Sequence, residues 1–205
     1  AYERAFSTSR RGNVDPGQSG ASGGIDNNHI VSNVLIVYST TDGHTEVICS
    51  HLADVVGGSG NEVVAVSIDD VHPLDLESFD KIVVGASIRY GKHDKKVYDF
   101  IADNQSLLDG KPNAFFSVNV VARKPEKNQP DTNPYLKKFL KEISWQPKQL
   151  AVFAGKIDYP RYNFFDRNII RFIMWMTKGP TDPSATIEFT DWKQVEAFGR
   201  IVSEM

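Results

Sequence analysis

The sequence is poor in the groups that staple or metallate a fold. Its single cysteine, Cys49, excludes a disulfide framework and a multi-cysteine metal site, and its place beside Ile48 and Leu52 in a helical pattern reads as a buried structural thiol. The five histidines, His29, His44, His51, His72 and His93, show no ligand spacing, so no metal is expected. No run of eighteen apolar residues occurs, which leaves no segment to cross a membrane as a helix. Neither sign of charge dominates; a net charge of −3 gives no broad attraction for nucleic acid. The loops G-x-x-x-x-G-K-S/T and G-x-G-x-x-G are both missing, which disfavours an ATP-type phosphate loop and a dinucleotide loop. No nucleophile–histidine–acid constellation and no carboxylate pair placed for hydrolysis can be found.

What is present is most informative at Val34–Glu46, VLIVYSTTDGHTE. An apolar, β-branched run ends in a cluster of hydroxyls around Gly43, and a helical pattern follows at once. This is a strand, loop and helix, with the loop at the carboxyl end of the strand, where open α/β sheets bind ligands. Ser39, Thr40, Thr41 and Thr45 offer hydroxyls. Gly43 permits a tight turn, and the first helical N–H groups point back into the loop. Such a helix end suits a phosphate, and a phosphate monoester held without a lysine points to FMN. The alternative is an ordinary strand–helix turn in which Asp42 or Thr41 caps the helix.

Ala1–Asn33 is rich in Gly, Ser, Asn and Asp and shows no period. It is expected to be a disordered N-terminal extension, a tag, linker or targeting remnant outside the fold, which leaves residues 34–205 as one domain. There, strands and helices alternate. Strands are expected at Val34–Ser39, about Glu62–Ile68, Lys81–Ser87, Asn113–Asn119 and Leu150–Gly155. A first helix is expected from about Thr45 to Val56, ended by Gly57-Gly58, another near Lys95–Asn104, and a last one capped by Asp191 or Thr190. The pattern predicts an α/β, doubly wound five-stranded parallel sheet of order 2-1-3-4-5.

Two segments exceed a minimal version of that fold. Val120–Lys141 carries Arg123, Lys124, Lys127, Lys137, Lys138 and Lys141 against Glu126 and Asp131, a basic insertion after strand four on the same rim as the phosphate loop. Tyr159–Lys178 is a helical pattern in which Phe165, Ile169, Phe172, Ile173 and Met176 share one apolar face. Arg167, Arg171 and Lys178 share the opposite face, flanked by Ile170 and Met174 on one side and Phe164 and Trp175 on the other. A helix that merely covers a sheet needs only the first face. The shoulders and cations predict membrane contact through Phe164, Arg167, Ile170, Arg171, Met174 and Trp175, with burial in the core or in a homo-oligomer interface as the alternative.

Beyond these patterns, STTDGHTE at 39–46, VVGASIRYG at 83–91, SVNVVARKPEK at 117–127, YPRYNFFDR at 159–167 and FTDWKQV at 189–195 resemble flavodoxin-like proteins. More narrowly, they resemble the quinone-linked protoporphyrinogen IX dehydrogenases of bacterial type. The resemblance implies a flavodoxin-like fold with FMN bound by Ser39, Thr40, Thr41, Asp42, Gly43, His44 and Thr45, by Ser87, Ile88, Arg89, Tyr90 and Gly91, and by Ser117, Val118 and Asn119. Asp42 stands where ordinary flavodoxin loops carry threonine; an acid facing a phosphate is repulsive, so it is expected to turn outward or cap the helix. Tyr90 is expected against the flavin ring, and Arg89 to answer negative charge on cofactor or substrate; these two are the candidate catalytic residues.

The resemblance further implies oxidation of protoporphyrinogen IX to protoporphyrin IX in haem biosynthesis, in three two-electron steps, with electrons passed to a membrane quinone such as menaquinone or ubiquinone. Arg123, Lys124 and Lys127, with Arg161 behind them, are the candidates for the substrate's two propionates. The implied location is peripheral, on the cytoplasmic face of a bacterial inner membrane, or mitochondrial if the first segment is a presequence. Two other readings are a flavodoxin-type electron carrier, against which the absence of strong acidity counts, and an NAD(P)H:quinone reductase.

Overall fold

The computed structural model describes residues 31–205 together with the backbone strand Phe6–Ser7. Five parallel strands form the sheet: β1 (Asn33–Ser39), β2 (Glu62–Ser67), β3 (Lys81–Arg89), β4 (Asn113–Val118) and β5 (Gln149–Phe153). Their order is β2-β1-β3-β4-β5, as the alternating pattern predicts. Phe6–Ser7 adds an antiparallel pair outside β2, within the segment expected to carry no element; the remainder of that expectation, residues 1–5 and 8–30, lies outside the described residues.

β1 is a continuous apolar run because both faces of the sheet are covered. Alternate side chains go to opposite layers. Leu35 and Val37 join Ile82, Val84 and Phe115 in one core, while Val34 and Ile36 join Val83, Ala114 and Phe116 in the other. The second layer is built by α1 (His44–Gly58) and by the C-terminal helix; Cys49 is fully buried there, and burial raises its thiol pKa. The first layer is built by α2 (Lys95–Asp103), α3 (Gln105–Gly110) and α4 (Pro134–Glu142). Gly85 leaves room for the ring of Phe116 on the neighbouring strand, because a Cβ there would stand 2.1 Å from its Cζ.

A third, small core lies over the rim at the carboxyl ends of the strands. It contains Ile157 of β6 (Lys156–Asp158), Tyr159 of the 3-10 turn that follows and Tyr162 that caps it, and Met174 of α5 (Phe164–Met176); β6 pairs antiparallel with β7 (Thr186–Glu188). α6 (Trp192–Glu204) closes the chain, capped by Asp191, which accepts from the N–H of Lys193 at 3.0 Å.

Three details depart from the expectations. α1 continues through Gly57 and Gly58 before Ser59 caps it. β3 runs on to Arg89 and turns back at Tyr90-Gly91 to pair with Lys92–His93. Both turn residues have positive φ, 51° and 79°, the mirror-image turn that suits the twist of a two-residue hairpin. The basic segment after β4 is a pair of short 3-10 turns, Val120–Arg123 and Pro125–Lys127, followed by α4 with Pro134 in its first turn.

Candidate functional site

Among the described residues, four of the six α-helices begin with a side-chain cap. Asp94, Asn133, Asn163 and Asp191 each accept backbone N–H groups of the turn that follows. α1 does not. Its N-cap is Gly43, left-handed at φ 83°, with no side-chain hydrogen bond, a backbone state that favours glycine. Thr40 Oγ1 accepts the Gly43 N–H at 3.0 Å, which fixes the loop and leaves the first-turn N–H groups of α1 without a cap. Beside them, Thr45 Oγ1 is buried and without a hydrogen-bond partner. Orphaned donors at a positive helix end, with a stranded hydroxyl, form a cradle that fits a phosphate.

The cradle opens into a cavity lined by three loops. Thr40, Thr41, Asp42, His44 and Thr45 come from the first; Ser87, Ile88, Arg89, Tyr90 and Gly91 from the hairpin; and Val118 and Asn119 from the end of β4. Twelve of the fifteen expected cofactor positions therefore meet in one cavity. Gly43 lines a polar cavity next to it, with Lys156, Asp158 and Arg161. Ser39 ends β1 with its side chain buried, and Ser117 turns inward, 3.0 Å from Nε2 of His93.

His93, Ser117, Asn119 and Asn133 form a buried polar chain behind the cavity wall. Asn119 Nδ2 donates to Ser117 Oγ at 3.3 Å, and Asn133 Nδ2 donates to Asn119 Oδ1 at 3.1 Å. Burial between Phe115 and Phe139 pushes His93 down to about 3. His44, at the cradle, donates from Nε2 to Thr190 Oγ1 at 2.7 Å, because that hydroxyl already donates to the carbonyl of Ala154; burial also lowers its pKa.

Asp42 neither caps α1 nor faces away. Its Oδ1 accepts from Arg89 Nη2 at 3.0 Å, and the same nitrogen lies 3.4 Å from Asp166 Oδ2. Partial burial raises the pKa of Asp42, against the opposing pull of the Arg89 guanidinium. Tyr90 donates its hydroxyl to Asp166 Oδ1, and Arg89 stacks over Tyr162 at 5.3 Å. Arg89 is therefore held between two carboxylates, and Tyr90 is tied by its hydroxyl to the first turn of α5.

α5 presents its faces the other way round from the expectation. Phe165, Ile169, Phe172 and Met176, expected against the sheet, are exposed, with Phe165 at 77%. Met174, expected at a membrane, is 2% exposed in the third core, and Ile170 and Ile173 line the cavity with it. The cause is position: α5 covers the rim and not the sheet, so the narrow stripe facing the cavity is the one that packs. Arg171, also expected at a membrane, donates from Nε to the Thr181 carbonyl at 2.9 Å. Phe164 and Trp175 are exposed, and Arg167 is partly so.

Arg123, expected to meet a substrate carboxylate, donates to Val120 O, Thr177 O and Thr177 Oγ1, each at 3.0 Å. Its charge anchors the far end of α5. Lys124 and Lys127 are partly exposed, and Arg161 is exposed beside the polar cavity.

The remaining cavity wall escapes the sequence reading: Val120, Val121, Tyr135, Gly155, Lys156, Ile157 and Tyr162. Lys156 carried a usable signal, since it follows β5 on the same rim as the other loops. Tyr135 and Tyr162 carried none. Among the described residues, no three His, Cys, Asp or Glu side chains gather as a metal cage.

Comparison with known proteins gives a consistent result. The family described as Flavodoxin domain matches residues 35–184. A protoporphyrinogen IX dehydrogenase (quinone) from Escherichia coli strain K12 is 41% identical over 171 residues, 83% of this chain and 94% of its own length. One from Leishmania major is 44% identical over 165 residues, 80% of this chain and 71% of its own. Among solved structures, oxidised flavodoxin 1 from Bacillus cereus is 19% identical, aligned over 84% of this chain and 98% of that one with a TM-score of 0.48.

Proposed function

We propose, for a chain that belongs to the flavodoxin-domain family and within it to the quinone-linked protoporphyrinogen IX dehydrogenases, that this oxidoreductase holds FMN and oxidises protoporphyrinogen IX to protoporphyrin IX, with a quinone as electron acceptor. The observation that carries the reading is one cavity lined by two unlike sets of groups. One set is the uncapped start of α1 and the stranded hydroxyl of Thr45; the other is Val121, Ile170, Ile173 and Met174. The first suits the phosphate of a flavin mononucleotide, and the second suits a flat apolar ring system.

Bound flavin supplies the electron chemistry; the chain supplies position, charge and exclusion of water. Thr41, Thr45 and the first N–H groups of α1 would hold the phosphate, near Lys156, which Asp158 faces at 3.7 Å. The hairpin residues Ile88 to Gly91 and the residues Val118 to Val121 would contact the ring. Arg89, neutralised by Asp42 and Asp166, acts as a rigid cross-brace between the loops and not as a free cation. The apolar set keeps water from the reacting atoms and offers surface to both porphyrinogen and quinone. Lys124, Lys127 and Arg161, none with an acidic partner within 4 Å among the described residues, are the cations left to receive the substrate's propionates.

The exposed side of α5 supports peripheral docking at a membrane, the source of a lipid-soluble quinone. Phe164, Phe165, Phe172 and Trp175 protrude there, with Arg167 beside them. No helix among the described residues is long and apolar enough to cross a membrane.

Anaerobic titration tests the reading. The purified protein reconstituted with FMN should lose its visible absorption band on addition of protoporphyrinogen IX and regain it with a soluble quinone. Bleaching by NAD(P)H alone would overturn it in favour of a nicotinamide-linked quinone reductase.

A further inference from the structure

α5 has two working sides and two unequal ends. Its inner side, Ile170, Ile173 and Met174, is a wall of the cavity. Its outer side exposes Phe164 (67%), Phe165 (77%), Phe172 (57%) and Trp175 (69%), flanked by Arg161, Arg167 and Lys178. None of these cations has an acidic partner within 4 Å among the described residues. The C-terminal end is anchored by the bonds of Arg123 to Thr177, with Met174 buried beside it.

The N-terminal end follows Tyr162, which is buried in the third core, and within α5 itself Asp166 makes the hydrogen bonds to the hairpin. Asp166 accepts from Tyr90 and Arg89 of the hairpin and from Asn163 Nδ2 at 3.0 Å. Tyr90 takes part from the first turn position of the hairpin, where the two-residue turn itself sets φ at 51°. An anchored end, a polar catch between Asp166 and the hairpin, and a cavity behind the helix are the parts of a hinged cover.

We infer that α5 is a lid over the cavity, latched by Asp166 to Arg89 and Tyr90, and that an anionic bilayer opens it by taking up the outer face. This rests on the membrane docking proposed above. The bilayer offers the outer face what water cannot. The aromatic side chains leave water for the acyl boundary, while Arg167 and Lys178 meet anionic headgroups, each such cation adding attraction. That gain is set against the Asp166 bonds, so the latch decides how strongly opening depends on the surface. The open state admits a macrocycle that the closed cover would exclude, and the mouth then faces the lipid from which a quinone arrives.

The test uses the FMN-loaded protein with vesicles of equimolar phosphatidylglycerol and phosphatidylcholine, and with phosphatidylcholine vesicles alone. Two quantities are read: co-sedimentation with the vesicles, and hydrogen–deuterium exchange of the hairpin amides from Ile88 to His93. The wild type should bind the anionic vesicles, and its hairpin should then exchange about tenfold faster, the change that follows from losing one hydrogen bond to a charged group. Asp166→Asn should exchange at the faster rate without vesicles and gain little from them. Tyr90→Phe, which removes one strand of the latch and keeps the charge, should fall between the two. It serves as the second arm if Asp166→Asn fails to fold. Binding without faster hairpin exchange overturns the lid and leaves membrane docking standing. Failure to bind anionic vesicles overturns docking and lid together. A hairpin in Asp166→Asn or Tyr90→Phe that stays as protected as wild type overturns the assignment of the latch.

Discussion

Lowering the pH should weaken the wall of the cavity through His93, and the size of the effect can be worked out. Burial holds its pKa at about 3, against about 6.5 in an unfolded chain. The folded state therefore binds fewer protons than the unfolded state between these values, and stability is lost as pH falls. The contribution is fully present above about pH 6.5; the loss is about 2 kcal/mol at pH 5 and approaches about 5 kcal/mol below pH 3, at 1.36 kcal/mol per unit. Against a typical stability of about 5–15 kcal/mol, that is enough to dominate acid unfolding. The assay is urea denaturation at pH 7.5 and pH 5, for wild type and for His93→Gln, which keeps a polar group near Ser117 but does not titrate. Wild type should lose about 2 kcal/mol more than the variant between the two pH values. Equal losses would show that His93 titrates normally in the folded protein and refute the argument. Because His93 pairs with Ile88 in the hairpin, the same protonation should loosen the strand that carries Tyr90.

Other outcomes follow from single side chains. Thr45→Val removes a stranded buried hydroxyl, so the ligand-free protein should be no less stable, while FMN affinity measured by flavin fluorescence falls about tenfold, the loss of one hydrogen bond to a charged group. Gly85→Ala forces a methyl into the ring of Phe116 and should cost about 1–3 kcal/mol in thermal or urea unfolding. Trp175→Ser should reduce vesicle binding without lowering stability, whereas Met174→Ser should destabilise by about 2–4 kcal/mol, since it empties a packed site and strands a hydroxyl there; equal effects of the two on stability would contradict the orientation of α5.

Much of the fold was readable because periodicity and burial agree. The run Val34–Ser39 is continuous since both faces of β1 are covered, and the hydroxyl cluster after it marks the sheet rim. The places of the first and second rim loops were legible for the same reason, since each directly follows an apolar strand; that the second is a hairpin was not. α5 was not. Its sequence carries apolar residues almost all round, and periodicity gives the faces of a helix without saying which one finds a partner. That choice depended on Tyr159 and Tyr162, which lie over the rim and offered a small core to Met174. Arg89, Asp42 and Asp166 were likewise opaque, because a shared guanidinium is a meeting of three segments with no common spacing. Arg123 read as a free cation since nothing local foretold that the carbonyl of Thr177 would reach it.

The burial of Cys49 has a practical consequence. It is the chain's single thiol, fully enclosed in the α1 layer and hard to ionise, so alkylating reagents have no ready target in the folded protein. A cysteine introduced at an exposed position such as Phe165 would therefore be the one site that reacts. A nitroxide or fluorophore placed there, with no background substitution needed elsewhere, would give a direct ruler for the depth and tilt of α5 at an interface.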